Sequence, residues 1–323
     1  MSGIRSSVFV RSSLGKRLSW ATRLAAATLG CLLPLTLVAS ANAQPAAPAA
    51  APSKPAAPVV VALDTGAAGD PAPIALQAIY YASNLEENAI PVVLLHMYKG
   101  SSADYGVLAA ELQKVGHAVL VPDLRGHGAS NKFQSGAPMD PVKAAQPVQL
   151  TNMFQYDAEA CRIFLQSKKN INIEKLCVVG AEMGAAVALN YAAWDWHWPD
   201  LGGKKQGQYV KALVLISPDM SFKSLSVKQA INVPVVRGGL SILMIVGTTR
   251  GDGAKRLDKI FTQNHPVPAA PQNKDYFFKK VNTTLKGTDM LGKQLNIETY
   301  ITQFIDLRLV DKKQPVPLPQ PQR

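Results

Sequence analysis

Val178-Val179-Gly180-Ala181-Glu182-Met183-Gly184-Ala185 decides how this chain folds. Leu176–Val179 is a short apolar run rich in valine and reads as a buried strand. A helical pattern follows at once and runs through Trp194. Almost no chain separates the two elements. The residue between them is forced into a strained backbone conformation, and a Cβ on either side would collide with neighbouring backbone. Gly180 and Gly184 meet that requirement, and Glu182 stands at the tip.

Working outward, strand and helix patterns alternate. Val59–Leu63 and Ile74–Ser83 read as a leading pair of strands. Ile90–Leu95 is a buried strand, Ala103–Val115 a helix, His117–Pro122 a strand and Met153–Lys168 a helix. Val210–Ile216 and Leu240–Val246 are two more buried strands, and Ile297–Leu309 is a closing amphipathic helix. This alternation predicts an α/β fold: a mostly parallel sheet with helices on both faces. Residues 217–240 leave little room for a cap domain. Ligands of such sheets bind beyond the carboxyl ends of the strands.

Two further segments join the first. Val92-Val93-Leu94-Leu95-His96-Met97-Tyr98-Lys99-Gly100 is a strand running into a turn. Val121-Pro122-Asp123-Leu124-Arg125-Gly126-His127-Gly128-Ala129-Ser130 is another. In this order the three resemble the α/β-hydrolase fold: the oxyanion-hole turn, the Asp-x-Arg-Gly-His-Gly-x-Ser turn, and the strand–GxSxG–helix nucleophile elbow. The resemblance spans roughly residues 74–312. It implies a Ser-His-acid site with two backbone N–H groups as oxyanion hole, here those of Met97, where glycine is usual, and Met183.

The residues that would do the chemistry are replaced. Glu182 stands where the elbow serine is expected. The acid position, some three residues after Gly247, is Arg250, and the nearest acid is Asp252. The histidine of similar exported hydrolases precedes a Gly-Thr-x-x-Leu run; Gly287-Thr288-Asp289-Met290-Leu291 fits, and the preceding residue is Lys286. Serine attack needs a hydroxyl, a base and a group that orients the base. Glu182, Arg250 and Lys286 supply none of these. A carboxylate nucleophile, as in dehalogenases and epoxide hydrolases of this fold, still needs a histidine to activate water. No histidine follows His265, which lies in a proline-rich loop. One cationic, one anionic and a second cationic replacement suggest instead an ion cluster of Glu182 with Arg250 and Lys286.

Other conspicuous residues have plainer readings. His96 and His127 are expected to support their turns. Trp194, Trp196 and Trp198 read as a post-helix loop packing its rings on the domain, with a ring-stacking patch for sugar or lipid as the alternative. Asp219 holds the place of an alternative acid but has nothing to orient. Lys204-Lys205, Lys279-Lys280 and Lys312-Lys313 read as solvated pairs.

Of 323 residues, 47% are hydrophobic and 17% charged, which excludes a disordered chain. Residues 1–43 hold five basic residues and no acid. They run from basic (to Arg23) through apolar (Leu24–Val38) to Ala41-Asn42-Ala43, the pattern of a cleavable secretory signal; a retained anchor is the alternative. Lys16-Arg17 is not a twin-arginine pair. Residues 44–58 form an Ala/Pro linker and 313–323 a Pro-rich tail, flanking one domain at 59–312. Without the leader, 29 basic residues face 22 acids, a net +7 against +12 for the whole chain. That excess does not by itself indicate nucleic acid. Cys161 and Cys177 suit either a disulfide or two buried thiols, and two cysteines with no nearby histidine pair build no metal site. No cofactor is expected. The composite expectation is an exported, non-catalytic or catalytically altered hydrolase-like protein of the periplasm, envelope or exterior, without a stable membrane span once the signal is removed. It would bind a small molecule or envelope component. The alternative is a hydrolase with a rearranged site, esterase-like or with a carboxylate nucleophile.

Overall fold

A computed structural model describes residues 54–310, except 200, 204, 250, 266 and 269–272. The expected signal, most of the linker and the Pro-rich tail therefore lie outside the described residues.

Eight strands form one sheet in the order β1-β2-β4-β3-β5-β6-β9-β10. They are β1 (Val59–Asp64), β2 (Ala75–Tyr81), β3 (Pro91–Leu95), β4 (Ala118–Pro122), β5 (Leu176–Ala181), β6 (Val210–Ile216), β9 (Ser241–Val246) and β10 (Tyr276–Lys280). Two short strands, β7 (Ser221–Phe222) and β8 (Leu225–Ser226), pair as a separate hairpin. β2 runs antiparallel to both of its neighbours, and every other pairing in the large sheet is parallel.

Side chains of the central strands alternate between two cores, as the period of two demands. Val93, Leu95, Val178, Leu213, Leu215, Ile242 and Met244 face one side. They pack against α3 (Pro147–Asn152), α4 (Ala158–Gln166), α5 (Met183–Asp195), α6 (Pro234–Gly238) and α7 (Asp252–Asn264). Val92, Leu94, Cys177, Val179, Val214, Leu243 and Ile245 face the other side, under α1 (Gly106–Lys114) and α8 (Ile297–Ile305). A short α2 (Pro141–Ala144) starts at Asp140, whose side chain accepts from the Lys143 N–H. Each fully buried Val, Leu or Ile contributes roughly 1.5–3 kcal/mol of transfer free energy, so this double-sided burial dominates the stability. α5 is buried almost all round, because it lies between the sheet and other elements.

Several elements go beyond the sequence reading: the short helices α2, α3 and α6, the longer α7, β10 and the β7–β8 hairpin. α7 carries Ala254, Leu257 and Phe261 at helical spacing, a signal present in the sequence but masked by its charged face. The stretch 153–168 is helical but opens into a wider π-turn at Met153–Asp157 before α4.

That π-turn holds one end of a buried ion network. Arg125 is fully buried. Its Nη2 donates to Asp157 at 2.6 Å and to Asp70 at 2.8 Å, and its Nη1 donates to Gln149. Asp123, in the same turn, accepts the N–H groups of Ser102 and Ala129. Gly128 must lack a side chain, since a Cβ would lie 2.2 Å from the Asp123 carboxylate. The turn is thus fixed by charge and close packing, and it braces the loop after β3. Cys161 and Cys177 are both free and buried, which decides between the two cysteine readings. Among the described residues no helix is long and apolar enough to cross a membrane.

Candidate functional site at the elbow

Glu182 connects β5 to α5 with φ 46° and ψ −103°, a region disfavoured for any residue with a Cβ. The strain is held by packing on both sides. A Cβ on Gly180 would lie 2.2 Å from the Gly184 carbonyl oxygen, and one on Gly184 would lie 2.0 Å from that of Leu95. Above the tip, the Glu182 N–H donates to Ile216 O at 2.9 Å, locking the elbow to the end of β6. As the first residue of α5, Met183 has an N–H without an intrahelical acceptor.

The loop after β10 comes back onto this tip. Gly287 has φ +53°, and a Cβ there would stand 2.8 Å from Met97 Sδ and 3.2 Å from Glu182 Cγ. Its N–H donates to Ser217 Oγ at 3.0 Å, and Ser217 itself has φ 49°. Lys286 therefore enters beside the elbow. The Met97 sulfur lies against Gly287.

Between the ends of β5, β6 and β9 and the Lys286 loop lies a cavity of about 220 Å³. Glu182, Ser217, Asp219, Phe222, Thr249 and Lys286 are among its lining residues. Burial pushes the Glu182 carboxyl above its ordinary value; Lys286 pulls it back down, and Asp289 adds to the rise. Yet among the described residues no cation lies within 4.0 Å of that carboxylate. Glu182 and Lys286 share one cavity without forming an ion pair, and Arg250 lies outside the described residues. Asp219 shares this lining and is fixed by its own neighbours. It accepts the Met220 N–H and is packed against the start of α7, where a Gly253 Cβ would overlap it.

A family model for the alpha/beta hydrolase fold matches residues 90–296. The chain belongs to this family. No curated protein matches the sequence. Among solved structures, this alpha/beta hydrolase fold chain is similar to an alpha/beta hydrolase from Penicillium sp. sh18 (11% identity, 79% of this chain and 100% of that one, TM-score 0.53). It is similar to an esterase from Pyrococcus furiosus (15%, 78% and 91%, TM-score 0.52). It is also similar to an acylaminoacyl peptidase from Pyrococcus horikoshii (12%, 82% and 43%, TM-score 0.56). At these identities the likeness concerns the fold.

Within the alpha/beta hydrolase fold, His96 and His127 are committed to structure and His265 lies far from the elbow. The His96 ring sits with Nδ1 2.7 Å from Met97 O, and Leu124 N–H donates to Nε2 at 2.9 Å, which fixes Nδ1 as the protonated nitrogen. Burial pushes its pKa down to about 4, so the ring is neutral and ties two turns together. His127 packs tilted against His96 and edge-on to Tyr98, and burial lowers its pKa too. His265 bonds to Phe261 O and Leu240 O. Leu240 precedes β9, whose far end reaches the cavity, so His265 stands roughly 20 Å from the elbow at 3.3 Å per strand residue. Of the tryptophans, Trp196 is buried with Nε1 donating to Val210 O, and Trp194 packs edge-on to Trp198 and Phe154. The sequence reading missed Ser217 and Phe222. Neither belongs to a motif, and only the proximity of the β6 and β5 ends brings them in. Among the described residues no His/Cys/Asp/Glu cluster could hold a metal.

Proposed function

We propose that this alpha/beta hydrolase fold protein is exported and works by binding a small polar molecule in the elbow cavity, not by serine-type hydrolysis. The observation that carries this reading is the cavity lining. Glu182 and Lys286 face a space that the described histidines do not reach. Without a base, neither an elbow hydroxyl nor a water is activated, and a Glu182 ester would not be turned over. The strained elbow is nonetheless kept, with its glycines and helix N-terminus, which suits a rigid binding floor. The basic–apolar–small pattern of residues 1–43 supports export to the periplasm, envelope or exterior.

The test compares purified protein with Glu182→Ala on short p-nitrophenyl esters. No difference between the two is expected, beyond a small background from the Met183 N–H polarising a carbonyl. A rate that falls strongly in Glu182→Ala overturns the non-catalytic reading. For export, N-terminal sequencing of the protein recovered from the envelope should begin at Gln44; an intact Met1 there sinks the cleavage proposal.

A further inference from the structure

The charges of the cavity are arranged for a ligand of mixed charge. Glu182 is half-buried on the floor, at the end of β5, and no described donor or cation satisfies its carboxylate. Lys286 is exposed and stands at the mouth. The two line the same space and feel each other's field, yet they remain more than 4.0 Å apart. A half-buried carboxylate without a partner is costly, and a donor with positive charge relieves that cost. The Lys286 ammonium, which forms no ion pair among the described residues, likewise favours an anion. A second carboxylate, Asp219, lines the same cavity, with its Oδ1 accepting the Met220 N–H at 2.6 Å. The hydroxyls of Ser217 and Thr249 supply further polar contacts, and Phe222 offers one apolar wall. About 220 Å³ is room for a small molecule.

Resting on the binding reading above, we propose that the cavity takes a short amino acid or similar small zwitterion, its ammonium on Glu182 and its carboxylate toward Lys286. The ammonium enters first, because the acidic end of the site is the buried one. A simple amine would satisfy only the floor and a simple carboxylate only the mouth.

Titration calorimetry of the purified protein with L-serine, n-propylamine and propionate tests this. L-serine should bind best, propylamine more weakly and propionate weakest. Glu182→Gln should weaken L-serine by roughly tenfold or more, the loss of one charge-assisted contact. Lys286→Gln should remove the advantage of L-serine over propylamine. Unchanged thermal unfolding of both variants excludes misfolding as the cause. Propionate binding as tightly as L-serine overturns the proposal. So does L-serine binding that is indifferent to Glu182→Gln, or no binding of L-serine or propylamine at millimolar concentration. The non-catalytic reading fails by a separate result, ester hydrolysis that depends on Glu182, so the two failures are distinguishable.

Discussion

Gly184 lies against the Leu95 carbonyl so closely that a Cβ on it would stand 2.0 Å from the oxygen. The contact joins the first turn of α5 to the end of β3, the strand next to β5. It explains why position 184 is glycine. The spacing is set by sheet and helix packing, independently of what sits at residue 182.

Gly184→Ala should therefore cost about 3 kcal/mol or more, since backbone on both sides would have to move. Gly106→Ala is the matched control. Its φ is −51° and a Cβ would meet nothing within 4 Å. It should be neutral or stabilise by up to about 1 kcal/mol. Urea unfolding measures both, and equal midpoints would refute the packing argument.

Arg125 is buried with Asp157 and Asp70, and removing one partner leaves the other charges unpaired. Arg125→Met should lose about 3–5 kcal/mol. Replacing all three ionic groups with apolar ones of similar volume should lose much less. A single-variant loss below about 1 kcal/mol would show that the network is solvated.

Asp195 gives the molecule a pH signature. Burial pushes its carboxyl up to about 7 from 3.8, with Glu159 adding to the rise and the Val210 N–H opposing it. The native state thus favours the protonated form, while the unfolded chain ionises near 3.8. The stabilisation is complete at low pH and is lost as pH climbs from about 4 to about 7, by up to roughly 4 kcal/mol. Asp195→Asn should flatten that part of the stability curve. Lys211, lowered to about 8 by burial, acts above this window, so its contribution is constant within it. A parallel curve for Asp195→Asn would exclude the assignment.

At the elbow tip, Glu182 combines strain with an unpaired carboxylate. Glu182→Gly should stabilise by about 1 kcal/mol, since only glycine occupies this backbone region freely. Glu182→Gln keeps the strain and removes the charge. Because burial raises the Glu182 pKa, the wild type loses ground as pH rises above the ordinary glutamate value, and the gain of Glu182→Gln should grow in that direction. Chemical denaturation near pH 4 and near pH 8 separates the two effects.

The sequence by itself determined most of the large sheet. β3, β4, β5, β6 and β9 are apolar runs that mark themselves as buried strands, whereas β10 and the β7–β8 hairpin are not marked in this way, and the glycines around residue 182 predict the elbow because sterics there leave no alternative. That Glu182 stands at the elbow tip is equally legible, being a matter of residue identity at one position. Two features were not. α7 presents more charge than apolar surface, so its helical stripe is recognised only when Leu257 and Phe261 are seen packed. The site's composition was decided by tertiary structure alone. Ser217 and Phe222 come from the segment that follows β6 and Lys286 from the loop after β10, some 70 residues apart, and they meet at Glu182 because the ends of β5, β6, β9 and β10 are neighbours in the sheet. Whether opposite charges at such a meeting point pair or stay apart depends on side-chain reach and on ångström-scale packing by Gly287 and Met97. Residue type and spacing carry no such distances, and here the fold leaves Glu182 and Lys286 on one cavity with room between them.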